Sequence, residues 1–384
     1  MPTLNLVQRL ERLIALPSVS SVNPDWDQSN ARIIEELDTE FRDAGFRTEI
    51  LTIAGHAEKY NLIATLGGGD NGLVLSGHTD TVPFNASRWQ SDPFKLTERD
   101  GRLHGLGVID MKSFFALILE ALQPLDPRQI RHPLIVIATA DEESGMCGAQ
   151  ALLEMHRRLG RHAIIGEPTG ARPIRMHKGV GMESIRLTGK SGHSSDPSLG
   201  VNALDGMHQV IGEVIAWRDE LAERLRNPAF DIPYTTVNLG HVHGGDNPNR
   251  ICADCELQID IRPLPGMPLP ELRAELHQRL QQCLADSGLG LDFSPLFDGI
   301  EALETPADSP IVRAVESATG YRAASAAHGI EAPYLKQLGM DTVIFGPGDI
   351  DQAHQPDEYL ALERITPYVD QFRALIGQFC FQEV

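Results

Sequence analysis

Residues 72–83 read GLVLSGHTDTVP. Leu73, Val74 and Leu75 form a short apolar run that ends in Gly77, His78 and Asp80, the pattern of a buried strand delivering polar side chains at its carboxyl end. Upstream, NLIATL (61–66) is a second such run, joined to the first through the turn GGGDNG (67–72). That turn is not a phosphate loop, because no lysine followed by serine or threonine comes after it. Downstream, PLIVIAT (133–139) is a third strand, and FFALILEAL (114–122) between them reads as a compact buried helix. Strands alternating with helices over residues 1–177 predict an α/β sheet with helices on its faces.

Residues 178–297 follow another order: a strand (GMESIRLTG), a helix (203–225), two strands (TTVNLGHVH and ICADCELQIDIR), a helix (269–285) and a last strand (LDFSPLF). This β-α-β-β-α-β order is a split βαβ, ferredoxin-like arrangement and predicts an inserted second domain. The apolar strand TVIFG (342–346) is then free to complete the first sheet, so the first domain is expected to comprise residues 1–177 and 298–384.

The 53 acidic and 33 basic residues leave a formal charge of -20, a field that repels phosphate backbones and anionic membrane surfaces. Neither nucleic acid nor membrane is expected as a partner. No apolar run approaches the length of a membrane span, and Leu4, Val7, Leu10 and Ile14 recur at helical spacing among charged residues rather than as a signal-peptide core. The five cysteines are scattered and odd in number, which argues for a reducing compartment, and the cytoplasm is the expected location. Cys252 and Cys255 lie three apart on a predicted strand and so point to opposite faces, unsuited to a shared metal.

Acidic and histidine side chains gather just past the predicted strands: His78 and Asp80 in SGHTD, Asp110 in VIDMK, Asp141, Glu142 and Glu143 in ATADEESG, and Glu167 in IIGEP. His354, in AHQPDE, lies near the other end of the chain. Ligands of open α/β sheets bind beyond the carboxyl ends of the strands, where loops remote in sequence converge. Taken singly, each residue reads equally as a hydrogen-bonded histidine, a turn former or a helix cap. Together they are a ligand set for divalent zinc, cobalt or manganese, and two ions need a bridging carboxylate plus separate ligands for each. The adjacent pair Glu142 and Glu143 suits one ligand and one free base that takes a proton from water. In His-x-Asp, Asp80 can orient the ring of His78. His241 and His243 share a strand face with no acid paired to them, which favours a packed or surface role.

In this order, GHTDTVP, GLGVIDMK, DEESG, GEPT, GKSGHSS and the late histidine resemble the zinc aminoacylase and carboxypeptidase family of co-catalytic metallohydrolases, over essentially the whole chain. SGHSSDP (191–197), GVNAL (200–204), NRICADCEL (249–257), DIRPLPGM (260–267) and AHQPDEYL (353–360) are similar to a bacterial branch that releases ornithine and acetate from N-acetylornithine. The resemblance implies a catalytic α/β domain with a mixed sheet, an inserted lid and dimerisation domain, a homodimer, and an N-acylated amino acid as substrate. It implies two divalent ions, zinc or cobalt, held by His78, Asp110 and Glu167 on one side and by Asp110, Glu143 and His354 on the other. Asp110 would bridge, Glu142 would be the general base, Asp80 would support His78, and the Asp110–Met111 peptide bond would be cis.

His193 in GKSGHSS matches a lid histidine that stabilises the oxyanion across a dimer interface; without the resemblance it reads as a turn histidine. Asn249 and Arg262 match positions that hold the substrate carboxylate, with Arg250 as an alternative, and the glycines of GPG, Gly346 and Gly348, are expected to bring backbone amides to the ligand. Two departures stand out: Ser113 follows DMK where many members have Gly, and HGIEAP (328–333) replaces a loop rich in Gly, Ser, Thr and Asp found in the succinyl-diaminopimelate branch. The second makes Glu331 a candidate partner for a cationic substrate side chain.

Overall fold

The structure, a computed structural model, describes residues 4–69 and 71–381. The GGGDNG turn therefore lies partly outside the described residues. The chain forms two compact units, one of residues 1–175, 305–324 and 331–384, the other of residues 176–304 and 325–330.

The first unit is built on a mixed sheet in which Arg47–Thr52, Tyr60–Leu66, Leu134–Thr139, Leu73–His78, His162–Ile165 and Asp341–Ile344 lie side by side. Leu73–His78 pairs in parallel with Leu134–Thr139 on one side and with His162–Ile165 on the other, and Asp341–Ile344 continues the parallel run. Every residue of the first three of these strands is buried, which is why they read as continuous apolar runs rather than alternating ones. Register then decides where the loops emerge. His78 lies opposite Thr139 and Ser76 opposite Ile165, so His78, the 141–143 segment and Glu167 leave the sheet at one end and at nearly one level.

The helix Ser113–Leu122 buries residues all around its circumference, as its sequence requires, with Phe114 edge-on to Phe372 of the helix Leu362–Ile376 at 5.5 Å. At the amino end, the helix Leu6–Ile14 begins two residues later than the apolar spacing from Leu4 suggests. Asn5 caps it, exchanging hydrogen bonds with Gln8, so Leu4 lies outside; Leu10, Leu13 and Ile14 face the core while Val7 faces out. Among the described residues no helix is long and apolar enough to cross a membrane.

The second unit is a four-stranded antiparallel sheet with Thr236–Gly244, Asp254–Arg262, Gly181–Thr188 and Gly290–Pro295 in that spatial order. Its helices, Ala203–Arg224 and Leu269–Cys283, share one core with the sheet around Trp217, Leu257, Ile259 and Leu276. Along Asp254–Arg262 the burial alternates, Cys255, Leu257, Ile259 and Ile261 inward. The strand starts at Asp254, not at Ile251, so Cys252 precedes it; both cysteines are buried and free.

Candidate metal centre

Five donors come together in the first unit. His78, Glu143 and Glu167 come from strand ends, Asp110 from the loop before the helix Ser113–Leu122, and His354 from the segment after Asp341–Ile344. VID (108–110) is therefore not the strand the sequence suggested. His78 Nε2 stands 2.9 Å from Asp110 Oδ1 and 3.4 Å from Glu167 Oε1. His354 Nε2 stands 3.3 Å from Asp110 Oδ2 and 2.9 Å from Glu143 Oε1. Each oxygen of Asp110 thus faces a different imidazole, the disposition a bridging carboxylate needs. The Asp110–Met111 peptide bond is cis. Two overlapping groups of possible ligand atoms result, His78 with Asp110 and Glu143, and His78 with Glu142 and Glu167.

Asp80 holds this arrangement from behind. Its backbone oxygen is 3.1 Å from His78 Nδ1, and its carboxylate accepts the amides of Glu142 at 3.2 Å and Glu143 at 3.0 Å. One buried residue therefore orients a ring through its backbone oxygen and fixes the loop carrying both glutamates through its side chain. Asp80→Asn keeps the volume but turns one acceptor into a donor facing an amide, and is expected to reduce hydrolysis roughly 10–100-fold with Glu142 intact. A kcat measurement against wild type, with metal content determined alongside, checks this.

Electrostatically the cluster is overfull of acid. Burial, then the charge of Asp110, pushes Glu167 up to about 8. Burial and the neighbouring Glu167 raise Glu142 well above the carboxylate range. Hydrogen bonds to Asp110 and Glu143 push His354 up to about 10, while burial opposes but Asp80 and Asp110 prevail in raising His78. Glu167 Oε1 is buried without a hydrogen-bond partner. A buried orphan acceptor beside further carboxylates and two imidazoles is the donor set that divalent ions of the zinc type satisfy. The residues present fit such ions.

Asp141, in contrast, is turned away: its φ is +54°, and Lys59 Nζ lies 2.6 Å from its Oδ1. That ammonium holds the carboxylate that a cation beside His56 and Cys147 would need.

Two expectations need correction. Glu331 is 1% exposed, its Oε1 accepting the Ser76 hydroxyl at 2.7 Å and its Oε2 the Thr139 hydroxyl at 2.9 Å. Both oxygens are engaged inside the sheet, leaving no open face for a substrate ammonium. Both GPG glycines are closely packed, and at Gly346 the expected amide is not open to a ligand. A Cβ on Gly346 would lie 2.1 Å from the Glu167 carbonyl oxygen, and one on Gly348 would lie 2.5 Å from Ile109 Cβ. The Gly346 amide is already donated to Thr169 Oγ1 at 3.1 Å. Gly346→Ala is expected to cost about 1–3 kcal/mol by overpacking, read as a lowered midpoint in denaturant, with metal affinity falling too because Glu167 must shift.

In the second unit His193 pairs with Arg250 across an antiparallel bridge, and the Ser194 amide donates to the Asn249 carbonyl at 3.1 Å. His193, Asn249 and Arg250 are thereby neighbours and exposed. Arg250 is held by Asp246 at 2.8 Å, and Arg262 by Asp260 at 2.8 Å. His241 and His243 are exposed on the strand Thr236–Gly244 and belong to no possible metal group among the described residues.

Sequence reasoning missed Lys59, which steadies Asp141, and Glu358, whose carboxylate accepts three backbone amides from residues 107–110. Glu358 stands four residues after His354 in AHQPDEYL, and that proximity was the available signal.

Residues 74–378 match the family described as "Peptidase family M20/M25/M40". The chain is 46% identical over 376 residues to an acetylornithine deacetylase of Pasteurella multocida, covering 98% of both chains. It is 47% identical over 368 residues to an acetylornithine deacetylase of Edwardsiella ictaluri, covering 96% of both. In fold it is similar to an aminopeptidase from Bacillus cereus, with a TM-score of 0.76 at 20% identity over 98% of each chain.

Proposed function

We propose, since this chain belongs to peptidase family M20/M25/M40, that it is an amide hydrolase removing the acetyl group from N2-acetyl-L-ornithine, a step of arginine biosynthesis. The observation that carries this reading is the near-complete match to acetylornithine deacetylases, joined to a cluster in which Asp110 faces two imidazoles with its two oxygens.

His78, Asp110 and Glu167 are assigned to one divalent ion, and Asp110, Glu143 and His354 to the other, with zinc the preferred ion and cobalt a substitute. When bound, such ions polarise the amide carbonyl and acidify the attacking water. Glu142 takes the proton from that water at its carboxylate as the new carbon–oxygen bond forms, and returns it to the amine nitrogen as the carbon–nitrogen bond breaks. Asp80 keeps the 141–143 loop and the His78 ring in place throughout. To the second unit we assign His193 as a donor to the oxyanion, and Asn249 with Arg262 or Arg250 as the holders of the substrate carboxylate. Residues 178–297 then act as a lid and as the dimerisation domain of a cytoplasmic homodimer.

The deciding experiment measures acetate release from N-acetyl-L-ornithine by chelator-stripped protein before and after zinc or cobalt is added. Activity that depends on the added ion supports the reading. Folded, reloaded protein that leaves this substrate intact but cleaves N-succinyl-diaminopimelate, N-acetylcitrulline or a dipeptide would move the assignment to that substrate.

A further inference from the structure

The loop that carries Asp110 and the segment that carries His354 are fastened together by one side chain. Glu358 is 2% exposed; its Oε2 accepts the Gly107 amide at 3.0 Å, and its Oε1 accepts those of Ile109 at 2.7 Å and Asp110 at 3.2 Å. The backbone closes the same junction: the Gly105 amide donates to the Glu358 carbonyl at 3.2 Å, and Tyr359 pairs with His104 in an antiparallel strand contact. Three convergent amides make an anion nest, and a carboxylate, acceptor-only with two oxygens, satisfies all three. A glutamine could not, because its NH2 group would meet an amide donor.

The carboxylate grips the backbone of Asp110 itself and of Gly107 and Ile109 just before it, while the Glu358 carbonyl and Tyr359 tie the segment that follows His354 to Gly105 and His104, so the strut fixes one donor of the proposed cation site relative to another. The other donors are positioned independently. His78 ends the strand Leu73–His78, and Glu167 follows the adjacent parallel strand His162–Ile165, whose spacing Glu358 does not touch.

We infer that Glu358 is a positioning residue that sets the separation of Asp110 Oδ2 from His354 Nε2, and thereby governs selectively the affinity of the ion assigned to Asp110, Glu143 and His354. The inference rests on the two-ion reading proposed above.

Stepwise zinc titration of the chelator-stripped full chain, followed by calorimetry, tests it without reference to turnover. Wild type should bind two ions. In Glu358→Gln one of the two steps should weaken about 10–100-fold while the other stays within about twofold. In a His354→Ala background, where the affected site is already disabled, adding Glu358→Gln should change the remaining step by less than about twofold. Glu358→Asp keeps the charge but shortens the reach by one methylene. It should give the same selective loss, and it supplies the measurement should the glutamine variant fail to fold. Equal weakening of both steps, no weakening, or an undiminished loss in the His354→Ala background overturns the inference while leaving two ions in place. A wild type that binds a single ion overturns the two-ion reading, and this inference with it.

Discussion

Replacing Glu142 by Gln is expected to lower kcat for acetate release roughly 10²–10⁴-fold, the range for loss of a positioned general base. The substitution is nearly isosteric, and the loop does not depend on the side chain it changes. The Glu142 and Glu143 amides are held by Asp80, so the 141–143 backbone should stay where it is. Two ions should still bind, because the donors that Asp110 links, His78, Glu167, Glu143 and His354, are untouched. Activity should therefore collapse at full metal content, with KM little changed. Activity within a few fold of wild type would remove Glu142 from the mechanism and return the proton transfer to another group.

Stripping the metal is expected to abolish hydrolysis and to lower thermal stability, both restored by zinc or cobalt. An ion present at 100 times its dissociation constant stabilises the folded state by about 2.7 kcal/mol, and tight sites exceed this. The stripped protein should also show a pH dependence that the loaded protein lacks. Glu167 is raised to about 8 by burial and by Asp110, so between about pH 4.5 and 8 the folded state holds a proton that the unfolded chain releases. His354, raised to about 10 by Asp110 and Glu143, retains its proton in the same way above about pH 6.5. Both shifts have the same sign: stability is fully present below the unfolded pKa and is lost as pH rises through the folded one. The difference in melting temperature between loaded and stripped protein should widen from pH 6 to pH 9. A difference that is flat or narrows with pH would mean that the carboxylates are not the groups the ions neutralise.

What the sequence revealed depended on burial. Strands enclosed on both faces, such as Leu73–His78 and Leu134–Thr139, announce themselves as apolar runs. The edge strand Arg47–Thr52, mostly exposed, carries no such pattern and is held by its pairing with Tyr60–Leu66. The donors His78, Glu143 and Glu167 were visible as residue types after strands, Asp110 was read so although it lies in a loop, His354 stood apart near the other end of the chain, and the resemblance supplied their division into two sets. Side-chain direction was not visible. Glu331 looked like a free charge because nothing local shows that Ser76 and Thr139, 255 and 192 positions away, hydrogen-bond to it. Gly346 looked like part of a ligand cradle because a close approach to another backbone leaves the same signature as a close approach to a ligand. Glu358 went unread for the converse reason: its partners are amides, which have no letter of their own in a sequence.

The discontinuity of the first unit has a consequence for synthesis. His354 follows Glu167 by 187 positions, and the strand Asp341–Ile344, which covers the open flank of His162–Ile165, is made just before it. At about 5–20 residues per second a ribosome takes roughly 10–40 s to cross that interval. During this time the nascent chain displays an unpaired parallel edge and an incomplete set of donors. The donor cluster is thus assembled only late in translation, when the returning segment closes the sheet and delivers its last imidazole together.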